Sequence, residues 1–523
     1  MRHRSWICSI LIGLVAAALV GLPGSDAHAQ KKGGVIRVGN LGEPPALDPH
    51  ISTTSLAEVV TNHIYEGLYT LDDDNRPIAM LAEGMPTVSR DGLTYTFKLR
   101  QGIRFHNGKE LAAEDVVASL ARWGRLANSG KALFAQVADL RAVDRSTVDL
   151  KLKEKSPIIA LTLGIPNNCA AIYPKEIAEK YPQTKVAEYV GTGPFRVAEW
   201  KPDQHVRMVR FDDYKPRSER PTGYGGSKIA YVDEVRWIPV PDVATRAAQV
   251  ETGELDFADD LSLDQHDRLA RNPNVRLLVA KPYFWLIAVF NKKEGLMTNQ
   301  KLRQAWQAAI DIEPIMRNLA GGRTEFYRLD SSLVFAEVAE WHTKLPGLPY
   351  NERNPEKAKQ LLREAGYKGE PIRFITTQEY KWMYDFAVLT KQQLEDVGFN
   401  IDLQVMDWAT LSQRRYNPKE YEAYTTGIGM GAQYDPMHSG FLSCSWAGWT
   451  CDEEIQRIQQ ELARETDPKK RYALWEQQTR LFYEKVPAIR YGDLHGLRAM
   501  QKTVKGLNEK TERPRFYNVW LER

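Results

Sequence analysis

The chain has 523 residues, of which 43% are hydrophobic and 26% charged, and its formal net charge is +3. This length is too great for one hydrophobic core, and the composition is far from that of a disordered chain. Lysines and arginines are mixed with acids and form no basic stripe, so we do not expect a nucleic-acid-binding protein. A folded protein of two or three packed lobes is expected.

The first 29 residues have the pattern of a secretory signal peptide. Arg2 and Arg4 precede an apolar run over residues 6–22, and the small-residue site Ala27-His28-Ala29 follows. The apolar run is shorter than the ~20 residues that a membrane-spanning helix needs. We therefore expect cleavage before Gln30, export from the cytoplasm and no membrane anchor on the mature chain.

The first half of the mature chain alternates predicted strands and helices. Residues 33–41 alternate apolar and polar side chains as a strand does, and apolar residues then recur at helical spacing from Leu56 to Leu68. Residues 94–99 also alternate, and Ile103 and Phe105 are expected to continue that half-buried ribbon. A helix is predicted to follow it, with Val116, Leu120 and Trp123 on one face.

The second half shows the same alternation. Further strands are predicted at residues 146–152, 231–240, 283–291, 371–377 and 400–406, and further helices at residues 242–253, 300–310, 355–366 and 383–398. The last two helices each end at a glycine and precede a strand. Such alternation is typical of an α/β domain.

Motifs for catalysis or cofactor binding are not found. The stretch "GIGMGA" at residues 427–432 has alternating glycines, but Tyr434-Asp435-Pro436 follows where a dinucleotide-binding loop would continue into a helix. The sequence has no G-x-S-x-G and no H-E-x-x-H, and its histidines occur singly. We predict no catalytic residue, no cofactor and no metal site.

Cys444 and Cys451 lie close together in "SCSWAGWTCDEE". In an oxidising compartment a short disulfide loop is the natural interpretation, and a zinc site is the weaker one because no CxxC pair or intervening histidine is present. Cys169 would remain as a buried thiol.

Aromatic residues are frequent in the second half, where core packing is the more common role for any one of them. Those near loops or strand ends are alternatively placed to line a cleft and bury a ligand. The candidates are Trp285, Trp382, Tyr384, Trp408 and Tyr434.

Several segments together resemble one protein family. They are "AEGMPTVSRDGLTYTFKLRQGIRFHNGKELAAEDVVASLARW", "GTGPFRVAEW", "NPEKAKQLLREAGY" and "YDPMHSGFLSC", in that order along the chain. They are similar to the family 5 periplasmic solute-binding proteins, which serve ATP-binding-cassette (ABC) importers of peptides, nickel chelates and related solutes. The resemblance implies an α/β, two-lobed periplasmic binding protein fold with an additional inserted domain, hence three domains, and a ligand cleft that closes between the lobes.

The resemblance also implies domain boundaries. The expected division is signal peptide 1–29, domain I at 30–70, 191–285 and 500–523, domain II at 71–190, and domain III at 286–499.

The function that the resemblance implies is binding, not catalysis. We expect a monomeric periplasmic protein that captures a peptide or peptide-sized organic solute and delivers it to an inner-membrane ABC permease. Alternatives are a nickel chelate or other non-peptide solute, a secreted hydrolase, and a sensory module that signals to a receptor.

The motif "GMGAQYDP" bears on the ligand. Peptide-binding relatives carry an aspartate at the position of Ala432, where it pairs with the α-ammonium of the peptide; its absence puts a free-amino peptide in doubt. By motif position Tyr434 and Met430 are candidate ligand contacts, with Met430 in place of a tryptophan of the nickel-binding relative. Thr53 and Thr54 are candidate polar contacts that are equally able to cap the following helix. The pair Cys444 and Cys451 resembles a domain III disulfide of dipeptide-binding relatives.

Overall fold

The structure is a computed structural model that describes residues 32–430 and 434–522. The predicted signal peptide and Ala432 lie outside the described residues. Among the residues that are described, no helix combines the length and apolarity that crossing a bilayer requires.

The chain forms a mixed α/β structure. Its strands are β1 Val35–Asn40, β2 Tyr69–Leu71, β3 Pro77–Ala79, β4 Thr87–Val88, β5 Thr94–Lys98, β6 Val137–Asp144, β7 Thr147–Leu152, β8 Phe195–Lys201, β9 His205–Arg210, β10 Glu234–Pro239, β11 Phe257–Leu261, β12 Val275–Phe290, β13 Tyr327–Arg328, β14 Ile372–Thr377, β15 Ile401–Met406, β16 Ala423–Ile428, β17 Ala488–Gln501, β18 Val504–Lys505 and β19 Trp520–Leu521. Its helices are α1 Ser55–Ile64, α2 Ala113–Leu126, α3 Asn128–Phe134, α4 Ile159–Gly164, α5 Lys175–Lys180, α6 Val243–Thr252, α7 His266–Ala270, α8 Gln300–Ala309, α9 Ile312–Leu319, α10 Pro355–Glu364, α11 Lys381–Glu395, α12 Trp408–Arg414, α13 Glu453–Arg464 and α14 Pro468–Lys485.

Polar caps explain where many of these helices begin. The residue before the helix accepts a hydrogen bond from a first-turn N–H group, which satisfies a donor that has no partner within the helix. Caps of this kind are Asp242, Asn299, Asn354, Asp407, Asp452 and Asp467. At its other end, α6 stops at Gly253, whose φ of 79° suits glycine.

One eleven-stranded sheet runs through the molecule in the order β15-β14-β16-β12-β17-β11-β1-β10-β9-β8, with β13 also paired to β17. Among the strands of the described residues, only β12 and β17 run through both ends of this sheet. Val275–Ala280 of β12 pairs with residues 496–501, and Trp285–Val289 pairs with residues 488–493. The register shifts between Ala280 and Phe284. We call residues 32–280 and 496–522 the first lobe, and residues 284–430 and 434–493 the second lobe.

A four-stranded antiparallel sheet, β4-β5-β7-β6, adds a separate layer to the first lobe. Tyr95 and Phe97 of β5 pair with Leu150 and Val148 of β7. These four side chains are buried, while the residues between them face outward, so the alternation seen in the sequence becomes one core face. Helix α2 packs on that face through Val116, Leu120 and Trp123 and completes a hydrophobic core of its own.

Three sequence predictions about elements need correction. Ile103 and Phe105 are buried but do not extend the ribbon, because reversals at Gly102 and Gly108, with φ of 69° and 86°, leave only an isolated bridge between Arg104 and Glu110. Helix α1 ends at Ile64, before Leu68.

The strand predicted at 283–291 begins eight residues earlier, at Val275, because β12 continues past Pro282 from one lobe to the other. The predicted domain boundaries at 285/286 and 499/500 accordingly fall within strands β12 and β17 and not in loops.

A buried ion pair ties α2 to the beginning of the first lobe. Arg122 and Asp48 are both fully buried, and Arg122 Nη2 lies 2.6 Å from Asp48 Oδ2. The same carboxylate accepts hydrogen bonds from the hydroxyl of Tyr173 and the backbone N–H of Val186. Burial alone would raise the pKa of Asp48, but Arg122 and the other donors hold it below its ordinary value.

Cys444 and Cys451 are joined by a disulfide in the second lobe, and Cys169 is a free thiol. The two cysteines are 7 positions apart in sequence, so the bond closes a short loop.

Because closing even a short loop lowers the entropy of the unfolded chain, we expect the C444S/C451S variant to lose about 2–3 kcal/mol of unfolding free energy. Urea titration tests this: a reducing agent should lower the midpoint of the wild type and leave that of the variant unchanged. Equal midpoints for variant and wild type would contradict the expectation.

Candidate functional site

The two lobes face each other across a cleft and are in contact there. Ser55 Oγ lies 3.4 Å from Tyr380 Oη, and Thr162 Oγ1 lies 3.3 Å from His438 Nε2. An ion pair at the surface joins Glu154 of the first lobe to Arg464 of the second lobe at 2.6 Å. The cleft is therefore closed in this structure, and residues of both lobes line the space inside it.

A cavity of about 630 Å³ lies between the lobes. Met430 and Tyr434 of the second lobe line it, opposite Tyr224, Leu161 and Glu512 of the first lobe. Acidic residues in its lining outnumber basic ones: Asp72, Asp73, Asp74, Glu337, Glu340, Glu509 and Glu512 stand against Arg76, Lys281 and Lys510. Three of these carboxylates are paired with arginines outside the lining: Glu337 with Arg328, Glu509 with Arg276 and Glu512 with Arg513.

A second cavity, of about 470 Å³, has a different character. Its apolar wall consists of Ile165 of the first lobe and Ile428, Phe441 and Trp446 of the second lobe. The polar groups around them are mainly amides and hydroxyls. Ser439 Oγ and Gln459 Nε2, both on lining residues, are buried with no hydrogen-bond partner among the described residues. Apolar walls with a few unsatisfied polar groups are typical of small-molecule sites.

Glu512 connects the first lobe to the backbone of the second. Its carboxylate accepts a hydrogen bond from the backbone N–H of Met430, and a Cβ atom added at Gly429 would lie 2.3 Å from Glu512 Oε1. Arg513 Nη2 pairs with the same carboxylate at 3.0 Å. Burial raises the pKa of Glu512 above its ordinary value in spite of that neighbouring cation. The bare backbone at Gly429 is what allows this close approach.

Aromatic rings form a second-lobe surface beside the cleft. The ring centroid of Trp382 lies 5.4 Å from that of Phe284, and Tyr380 lies 5.2 Å from Trp408. The indole N–H groups of Trp382 and Trp408 are buried and, within the described part of the chain, have no acceptor. Neither tryptophan lines one of the two cavities described above.

The candidate residues from the sequence are distributed over these features. Met430 and Tyr434 line the larger cavity, and Thr53 lines the smaller one. Thr54 caps α1, because its Oγ1 accepts from the N–H of Ala57 at 3.3 Å. Trp382 and Trp408 belong to the aromatic surface, whereas Tyr384, two residues beyond Trp382 on α11, lines neither cavity.

The structure places Trp285 in the core and not at the cleft. Its side chain is 0% exposed, packs edge-on against Phe441 at 5.2 Å and lies under the guanidinium of Arg490. Successive side chains of a strand point to opposite faces, so Phe284 takes the face towards Trp382 and Trp285 takes the other face.

Sequence reasoning did not identify the charged residues of the cleft. Glu512 lines the larger cavity, and it comes with Arg513 from the C-terminal segment of the chain. The charged run "EKTERPRF" was available as a signal, but such runs are usually solvated and nothing in it indicates burial. In the described residues, no group of three or more histidine, cysteine, aspartate or glutamate residues is arranged to hold a metal ion.

Comparison with known proteins places these features in a family. Residues 76–449 match the family model "Bacterial extracellular solute-binding proteins, family 5 Middle". A probable peptide ABC transporter periplasmic-binding protein, y4tO of Sinorhizobium fredii, is 27% identical over 513 residues, which cover 95% of each chain. The glutathione-binding protein GsiB of Escherichia coli O1:K1 / APEC is 31% identical over 77% of this chain and 74% of its own.

The fold also has solved relatives. The oligopeptide-binding protein AppA of Bacillus subtilis, in complex with a nonapeptide, superposes with a TM-score of 0.82 at 23% identity and covers 94% of this chain and 100% of its own. At that identity the likeness bears on the fold alone.

Proposed function

The chain belongs to family 5 of the bacterial extracellular solute-binding proteins, and from this premise we propose that it is the periplasmic binding component of an ABC importer. It captures a peptide or peptide-sized organic solute by closure of its lobes and passes the solute unchanged to an inner-membrane permease. Relatives named for peptide and glutathione binding support this choice of ligand class over a nickel chelate.

The observation that carries the proposal is the construction of the cleft. Cavities of about 630 and 470 Å³ lie between two lobes that share one sheet, which β12 and β17 continue from one lobe to the other. Two strands with an irregular register form a natural hinge, and a ligand that contacts both lobes stabilises the closed state over the open one. Transport needs nothing more from this protein than binding and release, so we propose no catalytic role.

Thermal unfolding against a ligand panel tests the proposal. The panel consists of free tripeptides, the same peptides N-acetylated, nickel chelates and small aromatic acids, each with the mature protein. A ligand at ~100 times its dissociation constant adds about 2.7 kcal/mol to the unfolding free energy, which is readily seen as a shifted transition. Stabilisation by peptides supports the proposal, and stabilisation by another class alone would replace the peptide by that class.

Variants of two tyrosines test where the ligand lies. Tyr434 is 6% exposed and lines the larger cavity, whereas Tyr384 is half-buried on α11 and lines neither cavity. We expect Y434A to weaken peptide binding about tenfold or more, because a buried aromatic contact is lost, and Y384A to bind as the wild type does. Equilibrium dialysis measures both variants. Equal affinities for the two variants would contradict the placement of the ligand next to Tyr434.

A further inference from the structure

Strand β6 forms a free edge of the four-stranded sheet in the first lobe. The sheet order β4-β5-β7-β6 pairs it with β7 alone, and no other strand of the described residues pairs with it. The strand is 8 residues long and most of its side chains are exposed. Lysine or proline often protects an exposed edge from pairing with another chain, and β6 contains neither. Its outer backbone N–H and C=O groups are therefore open to a further strand.

The sequence of this edge is complementary to itself. Residues 137–143 read "VADLRAV", which is the same in both directions except that Asp139 and Arg141 exchange places. When two copies of one strand pair in antiparallel fashion about a two-fold axis, positions at equal distances on either side of the axis face each other. With the axis at Leu140, Asp139 of each copy faces Arg141 of the other. Opposite charges that face each other across two antiparallel strands stabilise the pair.

The regular part of β6 contains both of these charges. Residues 139–142 pair in unbroken register with residues 148–151 of β7, and the two register shifts lie on either side of this run. Such β-bulges bend an edge away from regular pairing. They therefore confine a contact between two copies of β6 to the central residues, which include the charges and the residue on the axis.

The charges lie on the solvent face of the sheet. The side chain of Arg141 is 65% exposed and that of Asp139 is 51% exposed. Within one chain, Arg141 lies opposite Asp149 of β7, with 3.4 Å between Nη2 and Oδ2, and Asp139 lies opposite Lys151. Pairing two copies gives a row across four strands: Asp149 and Arg141 from one copy, then Asp139 and Lys151 from the other. The sign of the charge alternates at every step, so no like charges become direct neighbours.

The opposite face of β6 is apolar at the axis. Leu140 is half-buried, lies opposite Leu150 of β7 and packs against the core beneath α2. In the pair of strands it would face Leu140 of the second copy, which covers the side that a single chain leaves open. Covering apolar surface adds to the attraction between the charges.

We propose that two copies of this protein associate through β6 and join their four-stranded sheets into one sheet of eight strands. The occupant of the edge is thus a second copy of this chain, in place of the monomer that the family resemblance implies. None of the residues 137–144 lines either cavity, so this inference is independent of the proposed function. Because one edge strand buries less surface than a standard interface, we expect a dissociation constant on the order of 10–100 µM.

Sedimentation equilibrium of the mature protein without ligand, over a series of concentrations, tests the proposal with two charge reversals. In a dimer of D139R, arginines face each other at both charged positions, and in a dimer of R141D aspartates do. We expect each variant to associate at least about tenfold more weakly than the wild type. The matched control is K180E, which reverses a charge at an exposed position of α5 in the same lobe and should associate as the wild type does.

A mixture of the two variants separates strand pairing from any damage to the fold. In a mixed dimer of D139R and R141D, one arginine again faces one aspartate at both charged positions. The equimolar mixture should therefore associate about as tightly as the wild type, and so should the exchange variant D139R/R141D alone. Fluorescence-detected sedimentation with a dye on one variant measures the mixed dimer. Local misfolding of either variant would not be repaired by mixing.

The outcomes decide the proposal without reference to a ligand. Weakened association of each single variant and recovery in the mixture would support pairing through β6. A wild type that remains monomeric up to about 0.5 mM, well above the expected dissociation constant, would overturn it. Equal association of the wild type and D139R, or a mixture that associates no better than its components, would overturn it as well.

Discussion

Replacing Gly429 by valine is expected to weaken ligand binding by on the order of 100-fold while leaving the fold intact. A Cβ atom at this position would lie 2.3 Å from Glu512 Oε1, closer than real Cβ contacts come. Glu512 is held by Arg513 and by the backbone N–H of Met430, so the clash is relieved by separating the second lobe from the C-terminal segment. Apparent affinity falls by the same factor as the population of the closed, binding-competent state.

The measurement is equilibrium dialysis with a mixture of free tripeptides, accompanied by thermal unfolding without ligand. G84V is the matched control, because Gly84 is exposed in the first lobe and a Cβ atom there would meet nothing within 4 Å. We expect G84V to bind like the wild type and both variants to unfold near the wild-type temperature. Wild-type affinity in G429V would mean that Glu512 moves aside without opening the cleft, and would contradict the account of closure given above.

The variant R122M is expected to lower the unfolding free energy by about 3–5 kcal/mol, because it leaves the buried carboxylate of Asp48 without its cation. The exposed pair of Arg457 and Glu461 on α13 offers a matched control, and R457M should change stability by less than about 1 kcal/mol. Urea unfolding of the two variants gives the comparison. Equal midpoints would show that Asp48 is satisfied without Arg122.

The ion pair of Arg122 and Asp48 also predicts that the unfolding free energy depends on pH. The pKa of Asp48 is lower in the folded protein than its ordinary value of 3.8, so its stabilising contribution is present above about pH 4 and is lost as the pH falls through the folded pKa. The acid-induced loss of stability should therefore be smaller in R122M than in the wild type. An equal loss in both proteins would contradict this contribution.

Local patterns in the sequence were sufficient for most of the fold. The alternation of Tyr95 and Phe97 predicted β5. The glycine at position 366 predicted the end of a helix that began at residue 355, and the observed helix is Pro355–Glu364. These signals are local, because periodicity and capping act within a few residues. The length of β12 was underestimated because a strand that passes from one lobe to the other has no local mark at the crossing.

The site was less predictable than the fold. Tyr434 and Met430 were predicted as ligand contacts from a motif, and both line a cavity between the lobes. Glu512 was not predicted, since its burial and its contact with the backbone of Met430 depend on segments that meet only in the folded protein. Trp285 and Phe284 are adjacent in sequence and lie on opposite faces of one strand, and only the register of β12 decides which of them faces Trp382.

Small-angle X-ray scattering of the mature protein with and without the tripeptide mixture tests the central claim most directly. A ligand held between the two lobes shifts the population towards the closed form described here. We predict that the radius of gyration falls on saturation with free peptides and that the scattering of the liganded protein matches this structure. An unchanged radius of gyration at a peptide concentration that saturates binding would contradict capture by lobe closure.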